Sequence, residues 1–181
     1  MNITFRALEK FPEPDFTALA DQAFSDYVES ELLADVAHEE TAARANSPDI
    51  VNESALRIGA FRADTLIGWT YACPDGASIL YMINSGVAQG ERQKGIYSEL
   101  VRLFIEHARS QGYVAILSRH AANNNPVIIA KLKLGFIVSG FEYSEVYGPL
   151  VRLTFLLGNL RRRLYQTRST PIRRARPKND A

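Results

Sequence analysis

The sequence predicts a mixed α/β protein built on a central sheet with antiparallel hairpins on its flanks. Three observations carry that prediction. Strand-like and helix-like runs alternate through the second half of the chain. Two short alternating runs, ALRIGAF and LIGWTYA, flank the turn Arg62-Ala63-Asp64-Thr65 and read as a hairpin. The stretch from Gly95 carries Ile96, Leu100, Leu103, Phe104 and Ala108 on one face and Ser98, Glu99, Arg102, Glu106 and Arg109 on another, the pattern of a surface helix.

The remaining elements follow in order. In ITFRAL, Ile3, Phe5 and Ala7 alternate with Thr4 and Arg6, which is a strand pattern. Pro12 and Pro14 then punctuate, Asp15 is placed to cap, and Phe16, Leu19, Ala20, Ala23, Phe24 and Tyr27 recur at helical spacing. A second helix is expected over Leu32 to Ala45, ended by Asn46-Ser47-Pro48-Asp49. After the hairpin, Pro74-Asp75-Gly76 leads into a third strand, ASILYMINSGV. Gln111-Gly112 closes the amphipathic helix, with His107 at the edge of its apolar stripe. YVAILS is a short branched apolar run of the kind found in buried strands. NNNPVIIAKLKLGF reads as cap, helix and glycine stop, and FIVSGFEYSEVYGPLVRLTFLL as two strands joined at Tyr147-Gly148-Pro149.

Composition excludes several classes. With 46% apolar and 23% charged residues over 181 positions, the chain is an ordinary globular domain, neither fibrous nor disordered. No apolar run approaches the ~20 residues of a membrane span, and MNITFRALEK lacks the apolar stretch of a secretory leader, so a cytoplasmic location without membrane association is expected. The single cysteine, Cys73, excludes an internal disulfide and a cysteine-rich zinc site; it is expected to pack as a small thiol, and no metal is expected. The net charge of +1 conceals an asymmetry, because Arg161 to Lys178 holds eight of the 21 basic residues and no acid. We therefore divide the chain into a domain over residues 1–158 and a basic extension over 159–181, expected to be partly disordered. That extension could serve nucleic acid, a role rated unlikely, or reach the acidic body of a neighbouring subunit in a homodimer.

The phrase VAQGERQKGIYSEL, Val87 to Leu100, has the parts of an anion cradle. A strand ends, a polar loop follows, and Gly95 opens a helix whose first N–H groups are unsatisfied and carry partial positive charge. Arg92 and Lys94 add cationic side chains suited to a phosphorylated ligand. Arg92, Gln93, Lys94, Gly95 and Ile96 resemble, in register, the acetyl-CoA pyrophosphate loop of the GNAT acetyltransferase superfamily. Asn124 followed by a helix ending in Gly135-Phe136 is similar to a second motif of that family. The resemblance extends over roughly Met1 to Leu157. Two positions depart from it. Tyr97 stands where the family prefers Gly or Ala, and Lys131 where many members carry a tyrosine that protonates the departing CoA thiolate.

The resemblance implies a mostly antiparallel sheet with splayed middle strands and about four helices. It implies direct transfer of an acetyl group from acetyl-CoA, as co-substrate, to an amine of a small molecule or peptide. Ser85, Gly86 and Val87 would bond the pantetheine arm, and Gly86 would accommodate a bulge that opens the gap. The loop Arg92, Gln93, Lys94, Gly95, Ile96 and Tyr97, with Asn124 and Lys131, completes the cofactor side. Lys131 has three readings: a partner for CoA phosphate, an acid, or a solvated helix lysine. For proton transfer the candidates are His120 and Tyr147, with Tyr143 beside them and Tyr81 and Asn84 as holders of a water. The acceptor would lie between the first two helices and the last hairpin, where Asp26, Glu29, Glu31, Asp35, Glu39 and Glu40 form either an acidic wall or a solvated face. Two other readings stay open. One is a CoA-binding regulatory module without turnover, and the other is a nucleic-acid-associated protein acting through its tail.

Overall fold

The structure, a computed structural model, describes residues 2–24 and 55–169. Seven strands form one sheet: β1 (Ile3–Ala7), β2 (Leu56–Arg62), β3 (Thr65–Asp75), β4 (Ile79–Val87), β5 (Ala115–Ala121), β6 (Ile137–Ser144) and β7 (Gly148–Leu156). Their spatial order is β1-β2-β3-β4-β5-β7-β6. Every neighbouring pair is antiparallel except β4 and β5. The described helices are α1 (Asp15–Phe24), α2 (Ile96–Ser110), α3 (Asn125–Lys133) and α4 (Asn159–Ser169). The expected helix over Leu32 to Ala45, Tyr27 and the six acids beside them lie outside the described residues.

Parallel β4 and β5 cannot be joined by a tight turn, and α2 supplies the crossover. Its stripe of Ile96, Leu100, Val101, Phe104, Ile105 and Ala108 is buried against one face of the sheet. Leu80, Met82, Ile116, Leu153 and Phe155 from the sheet and Ile128, Leu134 and Phe136 from the α3 region join the same core. A smaller core lies on the opposite face, where Leu19 of α1 meets Phe61, Leu66 and Trp69. Asp15 begins α1, but the carboxylate that satisfies its first turn is that of Glu13, which accepts from the Thr17 N–H at 3.2 Å and from Thr17 Oγ1 at 2.8 Å. The first half of the basic extension is helical, and Arg162 Nε ties α4 to the end of β7 through the Leu156 carbonyl at 2.6 Å.

One irregularity shapes the middle of the sheet. Between β3 and β4 the register passes from Ala72↔Met82 to Tyr71↔Asn84, leaving Ile83 as a bulge. The bulge reverses the alternation of β4, so that Met82, Ser85 and Val87 share the α2 face while Tyr81, Asn84 and Gly86 share the α1 face. The strand bends at Ile83 and not, as the sequence suggests, at Gly86. Gly86 is a glycine for a different reason. The Trp69 indole lies flat across it, and a Cβ there would stand 2.3 Å from the ring. Trp69 is fully buried and fixed, its Nε1 donating to Asn84 Oδ1 at 2.8 Å, so it cannot retreat.

Gly86→Ala should therefore cost about 1–3 kcal/mol by overpacking, read as a lower midpoint in urea unfolding. A Trp69→Phe substitution in the same chain should recover part of that loss.

Candidate active site

The pairing of β4 with β5 covers four residue pairs, Ile79↔Ala115 to Met82↔Ser118, and then stops. Beyond Met82, β4 continues on β3 alone as far as Val87; beyond Ser118, β5 continues on β7 alone as far as Ala121. The two strands thus form a fork whose vertex is Met82 and Ser118, directly before the Ile83 bulge. Along the open side, the β4 edge from Ile83 to Val87 has no strand partner among the described residues. Apart from the Val87 carbonyl, which accepts from Arg92 Nε, the peptide groups that face the gap are open to an extended ligand. Ser85 and Val87 occupy this edge, and Ser85 Oγ lies 2.9 Å from Thr70 Oγ1 and 2.7 Å from the Asn84 carbonyl.

At the far end of the open edge stands the loop to α2. A 3₁₀ turn, Gln89–Glu91, is followed by two left-handed residues, Gln93 (φ 64°) and Gly95 (φ 82°). Gly95 is the cap residue of α2, and no side chain caps the helix. A Cβ on Gly95 would meet no protein atom within 4 Å. The glycine therefore serves the left-handed backbone and leaves the space before the uncapped N–H groups open. Glu91 braces the loop, paired with Arg62 of β2 at 2.6 Å and with Lys94 at 3.2 Å. These partners hold its carboxyl below the usual range, the hydrogen bond from Arg62 contributing most. Lys94 Nζ also donates to the Gly90 carbonyl at 2.7 Å, and Arg92 Nε to that of Val87 at 3.2 Å. Tyr97 does not crowd this space. Its ring packs against the main core, and burial raises its phenol pKa.

The vertex of the fork holds a cluster the sequence pattern conceals. Lys131, one reading of which is a solvated helix lysine, is 1% exposed. Its Nζ donates to Met82 Sδ at 3.3 Å and lies 4.8 Å from the centre of the Phe136 ring. No carboxylate among the described residues accompanies it, and burial lowers its pKa from 10.5 to about 7. His120 lies on β5, on the same face, with Nε2 3.2 Å from Ser118 Oγ. Burial, and then the charge of Lys131, lower its pKa to about 3, so the imidazole is neutral at physiological pH. Asn124 caps α3, its Oδ1 accepting from the Val127 N–H at 3.5 Å.

The other candidates lie apart from that cluster. Tyr147 is in the turn between β6 and β7 and not on a strand, and Tyr143 on β6 is 80% exposed. Asn84 is engaged by Trp69. Tyr81 faces away from Lys131, beneath Arg119, whose Cζ is 5.4 Å from its ring centre. Cys73 is half-buried with Sγ 3.3 Å from the Tyr71 hydroxyl. On the Tyr81 face the structure adds three residues that sequence reasoning missed. Arg119 and Arg152 both reach Glu142, at 3.0 and 3.3 Å. Their spacing gives no signal, because each lies on a different strand. Among the described residues no group of three or more His, Cys, Asp or Glu side chains could hold a metal, and no helix is long and apolar enough to cross a membrane.

Comparison with known proteins agrees with this geometry. The model of the acetyltransferase (GNAT) family matches residues 11–136. Comparison with curated protein sequences gives no match. Among solved structures, the ribosomal-protein-S18-alanine N-acetyltransferase of Escherichia coli is similar over 87% of this chain and 95% of its own, at 14% identity and a TM-score of 0.65. An N-acetyltransferase of Staphylococcus aureus is similar over 87% and 100%, at 18% identity and a TM-score of 0.64. The IAA acetyltransferase of Bacillus cereus is similar over 86% and 99%, at 16% identity and a TM-score of 0.63. At such identities the likeness is one of fold.

The Lys131 environment has a consequence for stability. Between pH 7 and 10.5 the unfolded chain holds the lysine proton and the folded chain releases it, so Lys131 makes stability rise with pH across that window. Lys131→Met should remove this rise and raise the unfolding free energy near pH 7, since it replaces an uncompensated buried charge by an apolar chain of similar length. Denaturant midpoints at pH 7, 8.5 and 10 check both.

Proposed function

Since the chain belongs to the acetyltransferase (GNAT) family, we propose that it binds acetyl-CoA along the fork between β4 and β5 and transfers the acetyl group directly to an amine of a small molecule or peptide. The observation that carries this reading is the coincidence of three features: an unpaired β4 edge, an uncapped α2 N-terminus at its far end, and a buried lysine at its vertex. The pyrophosphate sits on the N–H groups of Ile96 and Tyr97, with Arg92 and Lys94 beside it. The pantetheine arm pairs with Ser85, Gly86 and Val87, which brings the thioester to the vertex. Gln93 shapes the loop through its left-handed backbone.

In the transfer, the nitrogen lone pair of the acceptor attacks the thioester carbonyl carbon, and the C–S bond breaks as the amide forms. The oxyanion between these events accepts from a backbone N–H near Val87. The departing sulfur needs a proton, and Lys131 is the donor. Its ammonium is buried at the vertex with a pKa of about 7, the value at which a group both holds a proton and releases it readily at neutral pH. His120, neutral and hydrogen-bonded to Ser118, contributes polarity to the vertex and no charge. The acceptor nitrogen loses its proton to a water on the opposite face, held there by Tyr81, whose phenol burial keeps protonated.

Two experiments test the reading. At 100 times its dissociation constant, acetyl-CoA should add about 2.7 kcal/mol to the unfolding free energy, and an amine panel should release thiol. Stabilisation without thiol release for any amine would leave only a CoA-binding module. Gly95→Glu should remove the stabilisation, because it places a carboxylate in the space before α2. Its own cost to the fold should be about 1–2 kcal/mol, from a side chain at positive φ.

Lys131→Met should lower kcat roughly 10²-fold or more with acetyl-CoA affinity retained. The parent enzyme should lose kcat as pH rises through about 7, where Lys131 gives up its proton, and the variant should lack that basic limb. A basic limb that survives in Lys131→Met would assign the proton to another group.

A further inference from the structure

The inference concerns the acceptor and rests on the reading that the acetyl thioester lies in the fork. We propose that Arg119 and Arg152 form a receptor for a carboxylate carried by the acceptor amine. Alternate residues of a strand face opposite sides. Ser118 and His120 of β5 face Lys131, so Arg119 projects from the opposite face, one residue past the vertex. There it lies directly across from Arg152 in the β5–β7 register.

Like charges placed opposite each other on a sheet repel, and such a pair needs an anion. Among the described residues, one carboxylate meets the two guanidiniums. Glu142 Oε2 lies 3.0 Å from Arg119 Nε, and its Oε1 lies 3.3 Å from Arg152 Nη1. Both are ion contacts without hydrogen-bond geometry, and Glu142 Oε1 is buried with no hydrogen-bond partner. Arg152 Nη2 turns to the Ser139 carbonyl at the long distance of 3.5 Å. The cluster therefore keeps one excess positive charge and several unused N–H donors, since each guanidinium carries five. Both arginine side chains remain about half exposed. Among the described residues, α1 packs over β3 and β4 on this face.

A planar monoanion matches the vacancy in charge and shape, because guanidinium groups bind carboxylates in parallel pairs of hydrogen bonds. The receptor stands on the side of the fork from which an amine approaches a thioester held between the strands. It would anchor an amino acid, or a peptide with a nearby carboxylate, with its nitrogen towards the gap.

The test uses amino acids paired with their carboxamides, in the presence of saturating acetyl-CoA, with thiol release as readout. Acids should exceed their amides in kcat/KM by about 10–100-fold, the range expected for hydrogen bonds to a charged group. Arg119→Gln and Arg152→Gln should each erase that preference while acetyl-CoA still stabilises the protein. Equal rates for acid and amide, a preference for phosphate-bearing amines, or a preference that survives both substitutions would overturn the proposal. If acetyl-CoA stabilises the protein but no amine releases thiol, the transfer reading fails and the receptor is judged by binding. The arginine Nε–H resonances of the CoA-bound protein, assigned with the two variants, should shift on titration with the acids and not with the amides. Absence of any shift with the acids would overturn the receptor itself.

Discussion

The site depends on where one ladder of hydrogen bonds ends. β4 and β5 are paired for four residues and then part at Met82 and Ser118, and the residue after Met82 is the bulged Ile83. A bulge adds one residue to one strand only, bends it and reverses the facing of everything beyond. Here that reversal turns Ser85 and Val87 to the same side as Met82, and sends Asn84 and Gly86 to the side of Trp69. One inserted residue thus decides the direction of β4, the free edge along the gap and the assignment of side chains to the two faces.

The two faces then take different chemical characters. On the α2 face the vertex is dry, with Lys131 enclosed by Met82 and Phe136 and a neutral His120 nearby. The absence of a carboxylate matters there, because an acid beside Lys131 would restore its proton affinity and hold it charged. On the opposite face the charges are numerous, paired and half-exposed. A reaction at the fork is therefore flanked by a low-dielectric side, suited to releasing a proton to sulfur, and a polar side suited to admitting a charged partner.

Much of this was legible in the sequence, and the failures share a cause. All seven strands were readable because alternation and turn residues are local signals, as in Ala63-Asp64 between β2 and β3. The cradle was readable because Gly95 and the amphipathic stripe after it lie in one short stretch. Ile83 was not, since a bulge is defined by the partner strand and nothing in YMINSGV marks it. Of the three readings of Lys131, the solvated one fails because KLKL alternates charge as a surface helix does, while the burial comes from β4, 49 residues away. Arg119, Glu142 and Arg152 escaped for the same reason. Their meeting requires β7 to enter between β5 and β6, a matter of topology and not of pattern.

Glu91 binds the loop before α2 to the end of β2, across 29 residues of sequence. The loop's braced shape consequently requires that the β2–β3 hairpin already lie beside β4. Closing so long a segment costs chain entropy before any contact is gained. The loop is accordingly a product of tertiary assembly, and the nucleotide proposed for it would meet that shape only in a chain whose sheet is already paired there. Its binding can reinforce only a chain that has already assembled the centre of the sheet.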